Sequence, residues 1–253
     1  MPTTNLPAWD YYDRYWRSEG WETRPPLKLL ELFHRHISDH DRCLDVGCGD
    51  GGTSGIWLNE WAASYVGVDV SEAAVEMARD RGLDVRCVQD AAALPFEEGS
   101  FDVAVCVEVL EHLFEPQRAM VEIGRVLRPG GRVILTVPNV AHWRSRVDGL
   151  LGRWNPRGDH LSATEPWRDA HLRFFTIRSL TNMVQRCGFE VVARGGYDEH
   201  GFAHYVPGLR RLAGSAPPTA PSRRAAELHP RLLAGRIYVV AMLSSRGSRA
   251  AER

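Results

Sequence analysis

Between residues 43 and 52 the chain reads Cys43-Leu44-Asp45-Val46-Gly47-Cys48-Gly49-Asp50-Gly51-Gly52, and no other stretch limits the possible folds as tightly. An apolar run enters it, glycines alternate through it, and Thr53 and Ser54 follow as candidate caps for a helix. That order predicts a buried strand, a tight turn and a helix start, the arrangement in which a ligand lies against exposed backbone N–H groups. Glycine at 47, 49 and 51 permits positive φ and close approach, because no Cβ stands in the way. A loop of this kind can hold a dinucleotide. Asp45 argues against that ligand. A carboxylate two residues ahead of the first glycine repels a pyrophosphate and suits a cationic group.

Around this loop, helices and strands alternate. Leu27 to Ile37 carries apolar residues at helical spacing and leads into the first strand. Ile56 to Ala63 reads as helix and Tyr65 to Asp69 as strand, after which Ser71 caps a helix with Ala74, Val75 and Ala78 on its inner side. Asp84 to Gln89 is a third strand. Val103 to Val107 is a fourth, nearly all apolar, as befits a central parallel strand buried on both faces. Glu115-Pro116 opens a helix running to Leu127, Arg128-Pro129-Gly130-Gly131 ends it, and Arg132 to Val137 follows as strand. Thr176 to Cys187 is a helix stopped at Gly188, and Phe189 to Arg194 is a sixth strand. The alternation predicts an α/β, doubly wound, mostly parallel sheet with right-handed crossovers. Ligands then lie at the carboxyl ends of the strands, where Asp45, Asp69, Asp90 and Glu108 all fall.

At Asp45-Val46-Gly47-Cys48-Gly49 the chain resembles the first motif of the class I S-adenosylmethionine-dependent methyltransferases, whose cofactor carries a sulfonium and an ammonium. Asp69, closing Tyr65-Val66-Gly67-Val68-Asp69, is placed to accept from both ribose hydroxyls. Asp90-Ala91, ahead of Leu94-Pro95-Phe96 and Gly99-Ser100-Phe101-Asp102, resembles the segment whose acid receives the adenine amino group. With Arg128 to Gly131, the resemblance covers about residues 40 to 200. It implies a Rossmann-like, seven-stranded sheet whose last strand, Ile237 to Leu243, is antiparallel and inserted beside the fifth. It also implies S-adenosylmethionine as cofactor, held by Asp45, Gly47, Gly49, Asp69, Val70, Asp90, Ala91 and Glu108.

Residues 1–40 are expected to form an N-terminal helical lid, with Tyr12, Tyr15 and Trp16 on one helical face. The methyltransferase domain would span residues 41–243, with a cap insertion at 139–175 crowded with Trp143, Trp154, Trp167, His142, His160 and His171. An aperiodic segment of that length points to function. Gly214 to Pro221 reads as a surface loop, and residues 244–253 as a disordered polar tail. The 31 basic and 32 acidic residues cancel, so no global field attracts nucleic acid. No apolar run approaches the roughly 18 residues of a membrane span, and the N-terminus lacks the pattern of a signal peptide. Five cysteines without metal-ligand spacing suit reduced thiols and a cytoplasmic protein.

The reactive side chains gather elsewhere. If Glu108-Val109-Leu110-Glu111-His112 is helical, Glu108, Glu111 and His112 share a face and offer part of a hard-cation site, with His171 as a further ligand. The arrangement resembles two methyltransferase groups that use a divalent ion, the RNA 3′-terminal 2′-O-methyltransferases and the ubiquinone-pathway O-methyltransferases. It implies Mg²⁺ on Glu108, Glu111, His112 and His171. Without a metal, His142 and His171 are the candidate bases, with His112 third. Histidines and a metal both address deprotonation, so the expected acceptor is a hydroxyl of a small molecule such as a natural product, sugar or polyketide. Two alternatives stand beside it: an RNA 2′-O- or N-methyltransferase, and a non-catalytic partner of a methionine-pathway acyltransferase. The last rests on Pro138-Asn139, His142-Trp143-Arg144 and His171 to Leu180, which resemble proteins of the MetW type. Association as a homodimer is compatible with each.

Overall fold

The structure, a computed structural model, describes residues 8–18, 25–152, 171–198 and 219–244. Its elements in chain order are α1 (Ala8–Ser18), α2 (Leu27–His36), β1 (Arg42–Val46), α3 (Gly55–Trp61), β2 (Ser64–Asp69), α4 (Glu72–Asp80), β3 (Val85–Cys87) and β4 (Phe101–Val107). There follow α5 (Pro116–Val126), β5 (Leu127–Pro138), α6 (Trp143–Leu150), α7 (Ile177–Arg186), β6 (Phe189–Tyr197), α8 (Ala220–Leu228), α9 (Pro230–Leu233) and β7 (Arg236–Leu243).

The strands form one sheet in the order β3-β2-β1-β4-β5-β7-β6. Pairings from β3 through β5 are parallel, and β7 runs antiparallel to both β5 and β6. The seven-stranded sheet with its inserted antiparallel strand is therefore as expected. Alternate side chains of each central strand serve opposite cores. Leu44, Ala104, Cys106 and Leu135 meet Met120, Ile123, Leu180 and Val184 of α5 and α7. Cys43, Val103, Val105 and Ile134 meet Leu29, Phe33, Leu58, Val75 and Ala78 of α2, α3 and α4. Burial on both faces is why these strands read as apolar runs rather than alternating ones.

Three local expectations need correction. Ser54 stands at the N-cap of α3 but makes no capping bond; its hydroxyl points inward to Asp45. Part of the stretch read as a loop, at Ala220 and Pro221, begins α8, because proline fits the first helical turn without losing a bond. Arg128 to Gly131 lies inside β5, where the register with β4 shifts between Phe101 and Val103. Of the insertion, residues 153–170 with Trp154, His160 and Trp167 lie outside the described residues, as does the tail beyond Ser244.

Candidate functional site

β1 delivers the glycine loop at the carboxyl edge of the sheet. The N–H groups of Gly47 and Cys48 both donate to Val68 O, at 2.8 and 3.0 Å, which ties the loop to β2. Gly47 sits at φ 74°, and a Cβ there would collide with Val109. Gly49 sits at φ 55°, and a Cβ would lie 2.7 Å from Trp16 Cζ2. Glycine is required at both places by the sign of φ and by the space.

Asp45 lies under this loop, fully buried. Its Oδ2 accepts from Ser54 Oγ at 2.5 Å and Tyr65 OH at 3.3 Å, while Oδ1 has no hydrogen-bond partner. Burial pushes its pKa up to about 7, and the nearby charge of Asp69 adds to that against the two hydroxyls. A buried acceptor with one oxygen unspent suits an ammonium or sulfonium neighbour, and the chemistry of this corner fits S-adenosylmethionine.

Asp69, at the end of β2, accepts from Gly49 N and Ser71 N, both at 2.9 Å, one on each oxygen. Burial raises its pKa and these N–H groups oppose the rise. Each oxygen keeps lone-pair capacity for a ribose hydroxyl. Val70 follows, its carbonyl 3.6 Å from Cys87 Sγ. Asp90 is exposed and accepts from Ala92 N at 2.8 Å across Ala91. It borders a hollow of about 210 Å³ with Leu113, Phe114 and Arg118.

α1 packs on these parts through Tyr12, Asp13 and Trp16. Asp13 accepts from Ser71 Oγ at 2.7 Å and Ala73 N at 3.0 Å, so a residue of α1 caps the N-terminus of α4. Burial alone would raise the pKa of Asp13; the Ala73 N–H and the Ser71 hydroxyl outweigh it and hold the carboxyl below its usual value. Trp16 covers Gly49. Tyr12 meets the His112 ring edge-on, with centroids 5.8 Å apart. Burial first, then Tyr11, Glu111 and Asp69, push the Tyr12 phenol well above its ordinary value.

The segment after β4 departs from the expected helix. Glu108 has φ 56° and turns away: its Oε1 accepts from Thr136 Oγ1 at 3.1 Å, and its Oε2 is 2.6 Å from Arg236 Nε. Glu111 and His112 lie in a single 3₁₀ turn, Leu110–His112, so the one-face arrangement of Glu108, Glu111 and His112 does not form. Glu111 instead recruits the distant histidine. Its carbonyl accepts from Leu172 N at 2.8 Å and Arg173 N at 2.9 Å, which brings His171 alongside. The buried Glu111 Oε1 is then 3.8 Å from His171 Nε2 and 3.9 Å from His112 Nε2. The two imidazoles are 4.7 Å apart and inclined by 34°. Ligand atoms of Glu111, His112 and His171 all lie within 4.8 Å of one another. His142 is outside this group. It stands buried at the N-cap position of α6 without a side-chain capping bond, and burial lowers its pKa, opposed by the charge of Asp198 and aided by that of Arg144.

Sequence reasoning missed the partners of Asp45 and Glu108. Nothing near Asp45 in the chain announces Tyr65, which reaches it only through the β1–β2 pairing. Arg236 reaches Glu108 from the start of β7, opposite Pro138 of β5. Ser54 reads as a cap from its position after the glycines, and its hydroxyl goes to Asp45 instead.

A family model described as a methyltransferase domain matches residues 14–194. The ubiquinone biosynthesis O-methyltransferase of Idiomarina loihiensis is 29% identical over 200 residues, covering 72% of this chain and 77% of that one. The enzyme of the same name from Hahella chejuensis is 32% identical over 167 residues, covering 60% and 69%. Among solved structures, a possible histamine N-methyltransferase from Thermotoga maritima superposes with a TM-score of 0.60 at 19% identity, over 93% of this chain and 99% of that one. The [4+2]-cyclase SpnF superposes with a TM-score of 0.56 at 24% identity, over 86% and 80%. Likeness at those identities concerns the fold alone. No helix among the described residues is long and apolar enough to cross a membrane.

Proposed function

We propose, for a chain that belongs to the class I S-adenosylmethionine-dependent methyltransferases, that it methylates a hydroxyl of a small molecule and that Glu111, His112 and His171 handle the proton. The observation that carries this reading is the convergence of one buried carboxylate and two imidazole nitrogens within 4.8 Å, next to a tyrosine of the helix that covers the glycine loop. The cofactor, when bound, supplies an electrophilic methyl group for in-line displacement. Asp45, Gly47, Gly49, Asp69, Val70, Asp90 and Ala91 would hold it, and what the chain must add is orientation and exclusion of water. α1 would serve as the lid, with Trp16 over the loop and Asp13 fastening it to α4. Residues 139–175 would cap the acceptor.

A hydroxyl must lose its proton as the new bond forms. Glu111 stabilises a protonated imidazole beside it, so His171 or His112 can accept that proton at Nε2. A positioned base contributes about 10²–10⁴-fold. The names of the ubiquinone-pathway relatives support an oxygen acceptor. The donor set does not fit Mg²⁺ well. That ion takes oxygen ligands in strict octahedra, whereas Glu108 is engaged by Arg236 and two of the three remaining donors are nitrogens.

The test is turnover of labelled S-adenosylmethionine against phenols, sugars and short RNAs, with and without a chelator. Methylation of a small hydroxyl compound that persists in chelator and falls in His171→Gln supports the reading. Turnover on RNA alone, or stoichiometric binding of an acyltransferase without any S-adenosylhomocysteine affinity, would replace it.

A further inference from the structure

Away from the glycine loop, a hollow of about 860 Å³ lies at the β6 edge of the sheet, walled by α7, β6, α8 and α9. No residue of the glycine loop or of the Glu111 group lines it. Its size is within the range of about 300–1,000 Å³ that small-ligand sites occupy.

We propose that this hollow binds a small amphipathic anion, a phosphate or carboxylate head gripped by Arg178, Arg194 and Arg231 with an apolar body lying on Leu228 and Leu232. The three arginines come from three separate elements, α7, β6 and α9, and face one concavity together with His229. No aspartate or glutamate is among the described residues that line it. Several arginines elsewhere on the chain pair with acids: Arg42 and Arg128 with Asp102, Arg81 with Asp50, Arg125 with Glu122, Arg132 with Asp41. Among the described residues, Arg178, Arg194 and Arg231 form no side-chain ion pair or hydrogen bond. Guanidinium forks match carboxylate and phosphate oxygens two at a time, and an anion would relieve the mutual repulsion of the three cations. Leu228 and Leu232 are substantially exposed, which leaves apolar surface for the rest of the ligand.

The walls are held in place before any ligand arrives. Asn139, buried at the end of β5, donates Nδ2 to Pro230 O at 3.1 Å and to Ala234 O at 2.8 Å, fixing both ends of α9. Arg146 of α6 donates to Arg231 O at 3.3 Å, and Lys28 of α2 meets Glu227 of α8 at 2.6 Å. A wall fastened from three directions loses little entropy on binding.

The experiment is calorimetric titration of the full chain, saturated with S-adenosylhomocysteine, using hexyl phosphate, hexanoate, inorganic phosphate and hexyl glucoside. Hexyl phosphate or hexanoate should bind more tightly than inorganic phosphate, with affinity falling as salt rises, and hexyl glucoside should not bind. The comparison of phosphate with carboxylate identifies the head group. The Arg178→Gln/Arg194→Gln/Arg231→Gln variant should lose at least about tenfold in affinity, with S-adenosylhomocysteine affinity unchanged. Arg194→Gln alone, at an exposed strand position, carries the test should the triple variant fail to fold. Absence of binding by both anions, binding of hexyl glucoside equal to theirs, or an undiminished affinity in the variants would overturn the proposal. It does not rest on the methyl-transfer reading, whose failure would appear separately, as a wild-type chain without S-adenosylhomocysteine affinity.

Discussion

Replacing Asp45 by asparagine keeps the shape of the side chain and an oxygen for Ser54 Oγ, and removes only the charge. In the ligand-free chain that charge is expensive, because burial raises the carboxyl from 3.8 to about 7. A raised folded-state pKa means that the folded chain holds its proton more tightly than the unfolded one. The carboxyl therefore costs nothing below about pH 4, and its penalty grows as pH rises to about 7, where it levels off. The full difference corresponds to about 4 kcal/mol, of which about 3 kcal/mol falls between pH 5 and pH 8.5. At about 2–4 °C per kcal/mol for a domain of this size, wild type should lose about 5–10 °C of melting temperature relative to Asp45→Asn across that interval. Using the difference between the two proteins cancels other titrating groups, such as the buried His142. A cationic ligand reverses the sign. S-adenosylhomocysteine retains the ammonium, so wild type should bind it better as pH rises toward 7 and release a proton below that pH, visible as a buffer-dependent calorimetric enthalpy. Asp45→Asn should bind it more weakly and release none. Parallel melting profiles for the two proteins, or equal affinities at pH 8, would refute the assignment of Asp45 as a buried, proton-holding acid facing a cationic group.

Glu111→Gln should lower turnover about 10²–10⁴-fold while leaving S-adenosylhomocysteine affinity in place, because the lost group acts on the proton and not on the cofactor; steady-state rates and calorimetry check it together. Asp13→Ala removes the side chain that accepts from Ser71 Oγ and Ala73 N, and should cost about 0.5–2 kcal/mol, with faster proteolysis within α1 than in wild type. Gly47→Ala meets both a φ of 74° and the Val109 side chain. It should lower the melting temperature and weaken S-adenosylhomocysteine binding together, beyond the roughly 1–2 kcal/mol that the left-handed backbone alone would cost.

Much of the fold was legible because its signals are local and repeated. β4 is buried along almost its whole length, so its apolar run needs no partner to be recognised. Ser71 was recognisable as a cap and accepts from Ala74 N as such residues do. The edge strands were harder to bound. β3 has only three residues, and the polar end of Asp84 to Gln89 reflects a strand with one neighbour. α8 was lost because Pro221 and the small residues around it speak equally for a loop and for a helical first turn.

The candidate site divides along the same line. Asp45, Asp69 and the glycines are placed by their own backbone or an immediate strand neighbour, so their spacing alone predicts that they meet at one edge of the sheet. Glu108 shows where spacing stops. Its interval to Glu111 is right for a helix face, and the motif is present letter for letter. The chain leaves β4 through a left-handed residue instead, and that single torsion separates Glu108 from Glu111. Arg236 then engages it, and Arg236 stands opposite Pro138 only because β7 is inserted antiparallel against β5. An ion pair set by the register of the last strand cannot be read from a five-residue motif more than a hundred positions earlier. The same topology gives Glu111 its second histidine: the carbonyl of Glu111, freed by the short 3₁₀ turn, accepts from Leu172 and Arg173. Had the chain continued as α-helix through Glu115, that carbonyl would have accepted from the Glu115 N–H instead. The break in the helix is thus the physical reason that His171, and not Glu108, completes the group.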